Sequence, residues 1–190
     1  MAGVILSGSG RAAGKTAVGC ALISAIREFS WVAVKVTPHL HGLPAGLWEE
    51  TELDSPKDTG RYQQAGAIRS FLVTRPKSSD STGISQLLED VAQRAPQVTA
   101  WVVESGGMES EVLAKVAGPV VSLAVLAGSV EEWKPSLELH LASMDALVLS
   151  GGFAPEQLSQ ELQNKPSFLL PESQWVTAEL VAFVRKRLHL

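Results

Sequence analysis

The sequence is poor in several residue types, and each shortage excludes something. It has one cysteine, Cys20, so no intramolecular disulfide can form and a cysteine-based zinc site is not expected. It has no apolar run approaching the roughly 18 residues that a membrane span requires. No charged leader precedes the first apolar residues, so no secretory signal is read, and a reducing cytoplasm is the expected setting. Basic residues are in deficit, 16 Lys and Arg against 20 Asp and Glu, a net charge of -4. An extended nucleic-acid surface would be basic instead. No internal repeat, low-complexity tract or linker divides the 190 residues, so one domain over residues 1–190 is expected.

What is present is an alternation. Short apolar runs at Gly3-Leu6, Trp31-Val36, Ile68-Val73, Ala100-Val103, Pro119-Leu126 and Ala146-Leu149 read as buried strands, with Phe168-Leu170 as a last one. Between them, apolar residues recur at helical spacing: 14–28, 58–67, 84–95, 109–116, 134–142, 155–163 and 174–188. Segments 37–56 and 75–82 read as loops. Strands that are near-continuous apolar runs, separated by helices, predict an α/β fold with a mostly parallel sheet and helices on both faces. Ligands of such sheets sit beyond the carboxyl ends of the strands. The residues just after each strand therefore carry the functional information.

After the first strand comes Ser7-Gly8-Ser9-Gly10-Arg11-Ala12-Ala13-Gly14-Lys15-Thr16. A phosphate needs convergent backbone N–H groups, which small residues allow, and a helix N-terminus. The usual spacing is G-x-x-x-x-G-K-[ST], and here Ser9 takes the first glycine's place. Strand, loop and helix stand in the required order. The backbone of Gly8, Ser9, Gly10, Arg11, Ala12, Ala13, Gly14, Lys15, Thr16 and Ala17 is the predicted phosphate cradle. Lys15 would neutralise the terminal phosphates and the Thr16 hydroxyl would bind Mg²⁺.

A phosphate-bound Mg²⁺ also takes one or two carboxylates. Glu104 follows the apolar run Ala100-Val103, and Asp58 opens a helix after the long loop, where it could equally serve as an N-cap. Either could hold the metal or orient a water. Lys35, at the end of the second strand, could point into the cleft. His39 and His41 follow it and are candidate substrate ligands or plain loop residues. Cys20 lies inside the first helix, where packing is its expected role. No Asn-Lys-x-Asp is present: Asn164-Lys165-Pro166-Ser167 lacks the aspartate that would read guanine, so GTP and ATP both stay open.

Taken together, these pieces resemble the molybdopterin-guanine dinucleotide biosynthesis protein B (MobB) family. The resemblance is carried by SGSGRAAGKT, by Val34-Lys35-Val36-Thr37-Pro38-His39, by Lys57-Asp58-Thr59 with Ala65-Gly66-Ala67, and by Val102-Val103-Glu104-Ser105-Gly106. It implies a P-loop NTPase fold and a GTP-binding protein of weak hydrolysis. It also implies a homodimer that assists a nucleotidyltransferase partner in attaching a guanine nucleotide to molybdopterin. The chain is more distantly similar to dethiobiotin synthetase. That likeness implies an ATP-dependent ligase in which Lys35 helps hold a carbamate and Asp58 and Glu104 hold Mg²⁺. A third possibility is a binding module switched by nucleotide without catalysis.

Overall fold

The computed structural model describes residues 1–189 apart from 39–41, 53, 75–80, 134–136, 138 and 139. His39 and His41 therefore lie outside the described residues, as do parts of the expected loop 75–82 and helix 134–142. The elements in chain order are β1 (Ala2–Gly8), α1 (Lys15–Ala25), β2 (Trp31–Thr37), β3 (Gly46–Glu49), α2 (Asp58–Gln64), β4 (Arg69–Thr74) and α3 (Ser81–Arg94). Then follow β5 (Ala100–Glu104), α4 (Ser110–Ala117), β6 (Val120–Leu126), β7 (Ala146–Leu149), α5 (Gln160–Gln163), β8 (Ser167–Leu169) and α6 (Ala178–Arg187). The strands form one sheet in the order β3-β4-β2-β5-β1-β6-β7-β8. Every neighbouring pair is parallel except β3 with β4.

Side chains alternate across the sheet, as the pleat requires. Val4, Leu6 and Val102 face α1, α2 and α6, packing with Val18, Leu22, Tyr62, Leu180 and Val184. Ile5, Trp101 and Val103 face the other way, toward Leu88 and Val91 of α3 and Leu113 of α4. A third cluster joins Leu126 and Leu149 to Trp133, Leu137, Leu141 and Phe153. The expected two-sided, mostly parallel α/β sheet is what forms.

Three local expectations differ. The segment read as a long loop contains β3, which pairs antiparallel with β4 in the register Trp48 to Leu72. Arg69 fixes this edge by donating from Nε and Nη2 to the two carboxylate oxygens of Glu49 (2.6 and 2.5 Å). A bidentate pair of this kind is geometrically specific. The helix read over 155–163 is broken into a 3₁₀ turn, Pro155–Gln157, and the single turn of α5. The closing helix starts only at Ala178, because the Thr177 hydroxyl caps it by accepting from the Leu180 N–H (3.3 Å).

The chain reverses its winding at β1. From β1 it crosses to β2 on one side and returns through β5; β6, β7 and β8 then build the other side. The carboxyl end of β1 is thus the topological switch point, where a crevice opens. Helix α2 is held over this end by a close approach. A Cβ on Gly60 would overlap the carbonyl and side chain of Ser55, whereas the space around Gly106 is open. Gly60→Ala is expected to cost about 1–3 kcal/mol by overpacking. Gly106→Ala is expected to stay within about 0.5 kcal/mol of the parent. Urea denaturation of the two variants beside the parent measures both.

Candidate functional site

At the switch point β1 turns into α1 through residues 9–14. Two of these have positive φ: Ala12 at 61° and Gly14 at 96°. A left-handed conformation is ordinary for glycine but costs an alanine about 1 kcal/mol or more. The surroundings must therefore over-determine the loop, and serines do so from the neighbouring strand ends. The Ser7 hydroxyl donates to the Ser105 carbonyl after β5 (2.9 Å). Ser9 Oγ donates to the Ala127 carbonyl after β6 (2.9 Å) and accepts from the Ala127 N–H (3.0 Å). Ser150, after β7, donates to the Ala13 carbonyl (2.9 Å). Ser9 itself has no positive φ, so nothing at that position demands the glycine of the usual spacing. Its hydroxyl makes a tie that a glycine lacks.

Across the loop, Lys15 Nζ donates to the Gly10 carbonyl (2.7 Å). Its aliphatic stem lies against Gly8, where a Cβ would come within 2.9 Å of Lys15 Cδ. Arg11 is exposed at the outer turn, and Thr16 and Ala17 lie in the first turn of α1.

Lys35 and Glu104 are register partners at the carboxyl ends of β2 and β5. Glu104 is buried, with 6 % of its surface exposed. An isolated buried carboxylate is strongly unfavourable, so its partners matter. Thr16 Oγ1 donates to Glu104 Oε2 (2.7 Å), and the Tyr62 hydroxyl donates to the same oxygen (3.1 Å). Lys35 Nζ lies 3.6 Å from Glu104 Oε1 and is paired with Asp58 Oδ2. Arg61 reaches Asp58 Oδ1 at 3.4 Å. The site residues proposed from separate stretches, Thr16, Lys35, Asp58 and Glu104, are thereby brought into one network beside the phosphate loop.

Burial alone would raise the Asp58 carboxyl. The hydrogen bond and charge of Lys35, helped by Thr16 and Arg61, outweigh that and hold it below the ordinary aspartate value. Burial, with the Glu104 charge beside it, pushes the Tyr62 phenol well above its ordinary value, so Tyr62 is a permanent donor. Burial likewise pushes the Cys20 thiol up to about 11, which makes it a packing residue rather than a nucleophile.

A hydroxyl and two carboxylates on adjoining elements are hard oxygen donors of the kind Mg²⁺ takes, with water completing its shell. Thr16, Asp58 and Glu104 fit such an ion, and Lys35 already neutralises part of their charge. Among the described residues, no group of three or more His, Cys, Asp or Glu side chains gathers to hold a metal ion.

Sequence reading missed four features. Tyr62 lies on the helix that carries Asp58, and only the packing of α2 against α1 shows that it reaches Glu104. A cavity of about 450 Å³ is lined by residues 9–13 with Ala127, Gly128 and Trp133. Its lining takes in residues 9–13 of the cradle and excludes Lys15 and Thr16. Trp175, from the segment after β8, rests on Gly14. Ser150 and its tie to Ala13 follow from the strand order, which no local pattern reveals.

The strand order, the strand–loop–helix at the switch point and the Lys15-Thr16 pair define a P-loop nucleoside triphosphatase fold. No protein-family model matches the sequence, and no curated protein matches it in sequence. Solved structures do match. HypB from Helicobacter pylori, in complex with nickel, superposes with a TM-score of 0.61 at 15% identity, covering 98% of this chain and 85% of that one. The MinC:MinD cell division protein complex of Aquifex aeolicus gives 0.50 at 12% identity, over 98% and 86%. Bacillus subtilis MobB gives 0.47 at 12% identity, over 98% and 97%. At these identities the likeness to HypB and to the MinC:MinD complex establishes the fold and leaves the role open. Among the described residues no helix is long and apolar enough to cross a membrane.

Two outcomes test the network. Tyr62→Phe removes a hydrogen bond to a buried carboxylate and is expected to cost about 2 kcal/mol in chemical denaturation. The second concerns pH. A carboxyl held low in the folded state contributes stability above its unfolded value and loses it as pH falls through the folded one. The parent's advantage over Asp58→Asn should therefore be flat from about pH 8 to 5 and shrink below about pH 4. Thermal melts of both proteins across that range report it.

Proposed function

We propose that the protein binds a nucleoside triphosphate with Mg²⁺ and hydrolyses it weakly, as an accessory protein of the kind the MobB resemblance describes. The observation that carries the reading is the loop at the carboxyl end of β1. It turns through positive φ at Ala12 and Gly14 and leads into α1, with Lys15 folded across it and Thr16 against Glu104. Backbone N–H groups of residues 10–16 would hold the phosphates, at the positive end of the helix dipole. Lys15 would exchange the Gly10 carbonyl for a phosphate oxygen and stabilise charge on it. Thr16, Asp58 and Glu104 would hold Mg²⁺, which screens the charge of the β- and γ-phosphates.

Weak turnover follows from how the acids are engaged. Glu104 accepts from Thr16 and Tyr62, and Asp58 is paired with Lys35. Neither is placed as a free base toward an attacking water, so a strong activator would have to come from a partner. A nucleotidyltransferase partner and a homodimer are what the resemblance adds. The cavity beside residues 9–13 favours a second reading. A space of that size accepts a small second substrate, as an ATP-dependent ligase or kinase similar to dethiobiotin synthetase would need.

Isothermal titration of ATP and GTP with Mg²⁺ tests the common element. Lys15→Ala should weaken binding about 10- to 100-fold, the loss of a charge-assisted contact to phosphate. Absence of binding by the parent would reject both readings. Turnover that rises only with a nucleotidyltransferase supports the first; turnover that needs a small acceptor supports the second.

A further inference from the structure

The two flanks of the phosphate loop are built differently. On one flank β5 ends in Glu104, which bonds Thr16. On the other the sheet continues through β6, β7 and β8, and the segment after β8 folds back over the loop. It lays the indole of Trp175 on Gly14, so closely that a Cβ there would stand 2.5 Å from the ring's Cζ3. The end of β7 adjoins the same place, since Ser150 bonds the Ala13 carbonyl (2.9 Å). After it come Gly151 and Gly152, both of positive φ, with open space around Gly152.

The five tryptophans are not equivalent. Trp31 and Trp101 are fully buried. Trp133 is buried and stacked on Phe153, ring centroids 5.5 Å apart. Trp48 lies on the edge strand β3, donating to the Pro44 carbonyl (3.2 Å). Trp175 alone among them touches the phosphate loop's helix cap, and 44 % of it is exposed. A scattered exposed apolar residue is ordinary. An exposed ring in contact with the residue that precedes Lys15 is different, because it stands where a ligand on that end of the loop would meet it.

We propose that Trp175 is the stacking platform for the base of the bound nucleotide, held by its flat face rather than read at its edge. The inference rests on the phosphate-loop reading above. A triphosphate whose metal-bearing end faces Thr16 and Glu104 directs its nucleoside away from β5, toward the flank where Trp175 lies. Every base has a π face, so stacking is tolerant of base identity. Reading an edge needs polar groups placed against it. Gly151-Gly152-Phe153-Ala154, the residues that follow β7 and Ser150, offer no polar side chain. Asn164 and Lys165 precede β8 and so lie at the amino end of the sheet, away from the loop. Lys165 Nζ is engaged there with the carbonyls of Ala142 and Met144 (2.7 and 2.9 Å). Stacking on Trp175 by itself does not distinguish adenine from guanine, so ATP and GTP should be held about equally.

The test is titration of Mg-ATP, Mg-GTP and Mg-tripolyphosphate into the parent, Trp175→Ala and Trp175→Phe, with thermal melts to confirm folding. The parent should bind both nucleotides more tightly than tripolyphosphate, and ATP and GTP within about fivefold of each other. Trp175→Ala should weaken both nucleotides about tenfold, the size of one base–aromatic stack. It should leave tripolyphosphate within about twofold, and Trp175→Phe should recover most of the loss. An equal loss for tripolyphosphate would overturn the proposal, because the ring would then only position Gly14. So would unchanged nucleotide binding, or a strong preference for one purine. Failure of tripolyphosphate to bind the parent would instead strike at the phosphate loop itself.

Discussion

The buried carboxylate of Glu104 is the constraint around which this end of the molecule is arranged. A charge at that depth is tolerable only with several partners in place at once, and each partner comes from a different element: Thr16 from α1, Lys35 from β2 and Tyr62 from α2. Removing any one leaves a buried charge under-satisfied, which costs more than the bond itself contributes. The network thus ties the phosphate loop to the half of the sheet built before β5. It also sets Asp58, which Lys35 holds beside Glu104, at the rim of the crevice. The same atoms that stabilise the fold are those a divalent cation would need, so structural and candidate functional demands fall on one set of side chains.

The phosphate loop is held from the other half by serines. Ser9 is locked to Ala127, and Ser150 to Ala13, while Ser7 ties the strand to Ser105. These ties account for an alanine at positive φ in position 12 without a glycine to relieve it. A strained residue persists only where its surroundings over-determine it, and such positions concentrate at sites that bind or react.

Much of the fold was legible because buried parallel strands announce themselves as unbroken apolar runs, and the phosphate loop because its spacing, glycines and Lys-Thr pair are local. What stayed hidden was decided by tertiary pairing. Gly46-Leu47-Trp48-Glu49 is too short and too mixed to read as a strand; β4 and the Arg69–Glu49 pair make it one. Pro155–Gln163 has helical spacing but breaks after a single 3₁₀ turn. Asp58 was identified from its place at a helix start, yet Tyr62, four residues on and facing the same cluster, carries no local mark of its role. Trp175 was equally silent, since its partner Gly14 lies 161 residues earlier in the chain.

A loop braced by serines on both flanks has a consequence for what it can do. Its main-chain groups are positioned before any ligand arrives, so little ordering entropy is lost on binding. Such pre-positioning would favour steady retention of a phosphate group on the loop. The contacts around the loop are less constrained than those within it. On the β5 flank the less constrained contact is Lys35 with Asp58, an ion pair partly open to solvent that can be re-partnered by an incoming cation. On the opposite flank it is the segment bearing Trp175, whose ring leans on Gly14 of the cradle. A braced centre between two less constrained flanks is what these contacts describe.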